Sequence, residues 1–141
     1  MAVESSASAT WIGDLRDGRG SVRPASGAFS ELSLTWRQRA ESRESGTSPE
    51  ELIAAAHASC FAMALSFGLA NAGHPPERLE TSARVGFQPG EGITGIRLTV
   101  TGRVPGIDEA GFGEAAENAK ATCPVSKALA SVPISLEAAL E

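Results

Sequence analysis

Residues 52–72 contain no Asp, Glu, Lys or Arg, and a charge-free run of that length has to be a helix kept out of water or a helix in a bilayer. Its start is written in Gly46-Thr47-Ser48-Pro49-Glu50-Glu51, with Ser48 as N-cap, Pro49 in the first helical position and Glu51 closing a capping box. Its end is written in Gly73 followed by His74-Pro75-Pro76. Alanine, serine and glycine, with His57 and Asn71, make the run weakly apolar for a bilayer, so the expectation is a buried central core helix. Its small residues, Ala54, Ala55, Ala56, Ala58, Ser59, Ala62 and Ala64, let other backbone approach closely.

Strands are expected on both sides of that helix. Residues 7–11 and 20–24 read as a hairpin turning at Asp17-Gly18-Arg19-Gly20. From Glu31 onward Leu32, Leu34 and Trp36 alternate with Ser33, Thr35, Arg37 and Arg39, which predicts a strand with both arginines on one face. Residues 79–88 and 93–104 alternate around Pro89-Gly90-Glu91-Gly92, a second antiparallel hairpin. Asp108 is placed to cap a further helix through Lys120; Pro124 breaks that helix at Cys123, and a short helix and a last strand over residues 132–140 follow. A chain of 141 residues, 42% hydrophobic, supports one core, so residues 1–141 are expected to form a single α+β domain.

The formal net charge of −5 leaves no basic footprint for nucleic acid or anionic membrane. The small, polar first ten residues lack the pattern of a secretory signal, which points to the cytoplasm. There two cysteines serve poorly as structural staples, so a Cys60–Cys123 disulfide is expected to be transient and redox-active, the alternative being two inert buried thiols. Cys60 lies ten residues from Glu50, about 15 Å along the helix, beyond reach of the dipole at its start. Arg37 and Arg39 are the cations available to favour its thiolate. Glu50 is free to hold one of them, because Glu51 already serves the capping box, the alternative being a generic acid suited to a first helical turn. His57, three residues before Cys60, offers a Cys-His pair or half of a metal site. The spacings expected of a zinc site are missing, so a hydrogen-bonded buried histidine is the expectation and no metal is assigned. Cys123, at the start of the helix opened by Pro124, is by local physics the better nucleophile of the two.

Two stretches carry a family resemblance. Gly46-Thr47-Ser48-Pro49-Glu50-Glu51-Leu52-Ile53-Ala54-Ala55-Ala56-His57-Ala58-Ser59-Cys60-Phe61-Ala62-Met63-Ala64-Leu65-Ser66 resembles the peroxidatic-cysteine helix of the bacterial OsmC/Ohr family, the osmotically inducible and organic hydroperoxide resistance proteins. Ala119-Lys120-Ala121-Thr122-Cys123-Pro124-Val125-Ser126-Lys127-Ala128-Leu129 resembles that family's second-cysteine motif, and Trp11-Ile12-Gly13-Asp14 and Val104-Pro105-Gly106-Ile107-Asp108 are also similar. The likeness is closest to the OsmC branch and spans nearly the whole chain. It implies an OsmC-like fold, an antiparallel sheet wrapped around a long buried helix in an intertwined homodimer. It implies a hydroperoxide reductase, with Cys60 peroxidatic, Cys123 resolving, and an arginine and Glu50 in support. Arg39-Ala40-Glu41 fits the family's strand best, departing at Ala40, with Arg37 the other candidate; the loop over residues 42–45 is longer than the family pattern. No bound cofactor is implied: a lipoyl-type external dithiol is the expected reductant and an organic hydroperoxide the substrate. A Cys60-His57 hydrolase or acyltransferase and a non-enzymatic binder of small apolar ligands are the rival readings.

Overall fold

The computed structural model describes residues 1–41 and 45–141; residues 42–44, most of the loop read as longer than the family pattern, lie outside the described residues. Two compact units divide the chain, Met1–Glu50 and Glu51–Glu141.

In the first unit β1 (Ala7–Ile12) and β2 (Arg19–Pro24) pair antiparallel from Ala7↔Pro24 to Ile12↔Arg19, the hairpin expected from the sequence. β3 (Leu32–Leu34) adds to β2 and ends the sheet. The strand expected to continue through Arg39 does not: Trp36–Ala40 form a short helix, α1. The cause is local. Thr35 stays extended at φ −140 and ψ 157 while its hydroxyl accepts the Gln38 amide at 3.0 Å, an N-cap that starts a helix where Leu32, Leu34 and Trp36 suggested alternation. Two residues subtend about 200° on a helix, so Arg37 and Arg39 point in different directions instead of sharing a face. Beyond α1 the Thr47 amide donates to the Ser33 carbonyl at 2.9 Å, and Leu34 and Thr47 form a parallel bridge.

Helix α2 (Pro49–Asn71) starts at the proline and stops where expected. Gly73 takes φ +89, the Gly73 amide donates to the Ala70 carbonyl at 3.0 Å and the His74 amide to the Leu69 carbonyl at 2.8 Å, a Schellman end that a residue with a Cβ closes only at a cost. In the second unit β4 (Arg78–Gln88) and β5 (Gly92–Arg103) form the expected antiparallel hairpin with a register shift at Gly86/Phe87. Asp108 caps α3 (Glu109–Thr122) by accepting the Gly111 amide at 2.8 Å. Cys123, with ψ 125, separates α3 from α4 (Pro124–Ala128), because a residue before proline avoids the helical well. β6 (Ile134–Leu140) then joins β5 in parallel. Side-chain alternation does not reveal that direction; it follows from the crossover through α3 and α4, which returns the chain to the far end of the sheet.

Phe61, Leu65 and Leu69 of α2 are buried with Ile96, Leu98 and Val100 of β5 and with Phe112, Ala116 and Ala119 of α3. The spacing of four puts them with His57 in one stripe. Full burial of α2 is not met in the single chain: Met63 and Phe67, on another face, are 74% and 70% exposed. With a mean hydropathy of 1.8 over its most apolar 18 residues, α2 has the length and composition of a membrane span. The buried stripe packed on sheet and helix identifies it as a core helix with one uncovered side. At Gly102 a Cβ would lie 2.6 Å from Phe112 Cζ, inside the fully buried core. Gly102→Ala is therefore expected to cost about 1–3 kcal/mol, read as a lower denaturation midpoint in urea.

Candidate active site

The second unit brings the two cysteines together. Cys123 Sγ lies 2.7 Å from Cys60 Sγ, and both are free thiols. Cys60, on α2, is partly exposed, whereas Cys123, between α3 and α4, is fully buried. Burial pushes the Cys60 thiol above its ordinary range and the hydrogen bond shared with Cys123 adds to that, while the Val125 backbone at the opening of α4 pulls the other way. The helix start that favoured Cys123 in the sequence reading thus serves Cys60.

His57 is fully buried, and its Nε2 lies 2.7 Å from Ser126 Oγ. This is the hydrogen-bonded core histidine expected, with a partner on α4 that the sequence reading missed. The signal was present in the matched spacing of His57 three residues before Cys60 and Ser126 three residues after Cys123. Desolvation lowers the imidazole's pKa, which keeps the ring neutral. Its Nδ1 has no hydrogen-bond partner among the described residues. No group of three or more His, Cys, Asp or Glu side chains placed to hold a metal is found among the described residues.

The first unit brings together the other two expected residues. Arg39, from α1, grips the Glu50 carboxylate with a fork: Nε to Oε1 at 3.0 Å and to Oε2 at 3.3 Å, and Nη2 to Oε2 at 2.9 Å. Glu50 is 4% exposed. Of the two arginines the sequence left open, Arg39 is the one on Glu50. Beside it Trp11, Leu15, Leu34, Trp36 and Pro49 line a mostly apolar hollow of about 260 Å³ that has Arg39 as its charged wall.

Fold and site together define a dithiol α+β protein, one sulfur on α2 and the other at the junction of α3 and α4, 2.7 Å apart. The chain belongs to the OsmC family: residues 42–137 match the family model described as OsmC-like protein. The resemblance read from the two cysteine motifs is thereby borne out. Peroxiredoxin OsmC of Escherichia coli (strain K12) is 42% identical over 132 residues, covering 92% of each chain. The organic hydroperoxide resistance protein OhrA of Bacillus subtilis (strain 168) is 30% identical over 112 residues, covering 77% of this chain and 79% of that one. Among solved structures, an organic hydroperoxide resistance protein OsmC from Legionella pneumophila shares the fold with TM-score 0.69 at 23% identity, covering 100% of this chain and 99% of that one.

Proposed function

We propose that this chain is a thiol-dependent peroxidase that reduces organic hydroperoxides, and hydrogen peroxide less well, in defence against oxidative and osmotic stress. The observation that carries the reading is the pair of free sulfurs 2.7 Å apart, one reachable and one buried. The names of the relatives, a peroxiredoxin and an organic hydroperoxide resistance protein, support it. In the proposed cycle the Cys60 thiolate attacks the distal oxygen of ROOH. The O–O bond breaks, the alkoxide takes a proton and leaves as ROH, and Cys60 becomes a sulfenic acid. The Cys123 sulfur then displaces hydroxide from that sulfur; the S–S bond forms, and the hydroxide takes the Cys123 proton to leave as water. An external dithiol of the lipoyl type accepts the oxidising equivalent by exchange and regenerates both thiols, with no bound cofactor. Arg39 is proposed to stabilise the thiolate and the developing alkoxide, with Glu50 holding its guanidinium. The apolar hollow beside Arg39 favours a substrate with an organic tail. A cytoplasmic setting suits cysteines that must return to thiols in each cycle.

The rival hydrolase needs His57 to serve Cys60, whereas its Nε2 is engaged by Ser126. Purified protein is expected to consume organic hydroperoxides catalytically when a dithiol is supplied. Ester turnover unaffected by Cys123→Ser would favour the hydrolase instead, and absence of both activities would leave the ligand binder.

We also read residues 1–141 as one domain that works as a homodimer, the second copy covering the exposed side of α2 around Met63 and Phe67. Exposed apolar area on a helix that carries no charge from residue 52 to its end supports this. Sedimentation is expected to give twice the chain mass for the parent and the single-chain mass for Met63→Glu/Phe67→Glu. A parent that sediments as a single chain would overturn the dimer.

A further inference from the structure

His57 and Ser126 sit where no step of the proposed cycle uses them, yet both are buried, at 0% and 5% exposure. Their hydrogen bond of 2.7 Å joins the two elements that carry the cysteines. On α2, His57 precedes Cys60 by three residues and so shares its side of the helix. On the other side of the contact, Ser126 follows Cys123 by three residues, so the imidazole–hydroxyl link and the sulfur–sulfur approach run side by side between α2 and α4. The tautomer follows from satisfaction. Because Nδ1 has no partner among the described residues, placing the proton there would orphan a buried N–H. Nε2–H therefore donates to Ser126 Oγ.

We infer that His57 and Ser126 are positioning residues for disulfide closure: their bond holds α4 against α2 so that Cys123 waits beside Cys60. This rests on the peroxidase reading for its place in the cycle. The need for such a hold is physical. α4 has five residues, and a helix that short does not persist by its own propensity, so ties to its surroundings set where Cys123 lies. Closure from 2.7 Å to a disulfide at about 2.05 Å asks for little movement when α4 is held. Proximity of this kind is worth large factors in rate, and a misplacement of about 1 Å loses much of it.

The competition that reads this out is between two fates of the Cys60 sulfenic acid. Cys123 can close on it, releasing water. Alternatively a second ROOH transfers an oxygen to it, giving the sulfinic acid and ROH. In Ser126→Ala the ratio of closure to sulfenic acid formation is expected to fall about fivefold to tenfold, one buried hydrogen bond's worth. The sulfinic form, seen by mass spectrometry after a pulse of excess hydroperoxide, should rise accordingly. The dithiol–disulfide potential of the pair should become less negative, by about 30 mV for a tenfold loss. Ser126→Thr keeps the hydroxyl, His57→Gln keeps an N–H at similar reach, and at least one of them is expected to restore the parental ratio. Parental values of both ratio and potential in Ser126→Ala would overturn the inference, as would failure of both conservative variants to exceed it. The potential is set against a buffer of dithiol and disulfide and needs no peroxide. A parent protein that ignores hydroperoxide would therefore sink the peroxidase reading while the positioning role is still decided by that measurement.

Discussion

Replacing Cys60 by serine is expected to bring hydroperoxide consumption down to the rate without protein, whereas Cys123→Ser should still oxidise Cys60 once per chain and then stop. The difference rests on access and on the surroundings of each sulfur. Cys123 is fully buried, and Cys60 is the partly exposed member of the pair. A hydroxyl cannot replace the thiolate as nucleophile, so the first variant has no chemistry left. In the second, the sulfenic acid forms but finds no thiol to close on, and it accumulates in a form that sulfenic-specific probes label. The opening of α4 had made Cys123 the better candidate on local grounds. In the structure the Val125 backbone at that opening acts on Cys60, lowering its pKa against the larger effect of burial. Equal loss of the single turnover in both variants would sink the assignment of roles.

Burial nevertheless leaves the Cys60 thiol above its ordinary range, which fixes the sign of the pH dependence. Below that pKa the inactive thiol dominates, so the first step should accelerate as pH rises toward it unless a positive charge lowers it. A cation about 4 Å away at an effective dielectric of about 20 contributes roughly 4 kcal/mol before desolvation. At about 1.36 kcal/mol per pKa unit that corresponds to about three units, acting against the effect of burial. Arg39 is the residue proposed to supply that charge.

How far the sequence led depended on whether a feature was local. The α2 boundaries, the Asp108 cap and the break at Cys123 follow from residues within a few positions of each other, and the structure bears them out. Thr35 to Gln38 carried an equally local signal, a threonine followed three residues later by glutamine, which the alternation of Leu32, Leu34 and Trp36 concealed. The parallel direction of β6 and the His57–Ser126 bond join residues far apart in the chain, where no periodicity applies. The exposed side of α2 had a different origin. A charge-free helix shows in sequence that it must be covered, and says nothing of whether its own chain covers it.

Arg39→Ala should slow hydroperoxide reduction at neutral pH by about a hundredfold, the range found when one preorganised charge donor is removed from a developing anion. Raising the pH should recover part of the loss, because hydroxide then removes the proton that the arginine would have displaced. Arg39→Lys is expected to recover less than its charge suggests. Both Nε and Nη2 are engaged on the Glu50 carboxylate, and an ammonium cannot reproduce that planar fork. Arg39→Ala also leaves a 4%-exposed carboxylate without the fork. Because the arginine side chain is itself 33% exposed, the stability cost should lie between surface and fully buried pairs, about 2 kcal/mol. The measurement is the pH profile of Cys60 alkylation alongside hydroperoxide turnover in Arg39→Ala, Arg39→Lys, Glu50→Gln and Arg37→Ala. Glu50→Gln should weaken the grip and move the alkylation profile in the same direction as Arg39→Ala, by less. Arg37→Ala should follow the parent, since Arg37 leaves α1 about 200° away from Arg39. A shifted profile in Arg37→Ala with a parental one in Arg39→Ala would put the wrong arginine at the thiolate. Parental profiles in both would end the electrostatic account of Cys60 and leave His57 as the group to examine.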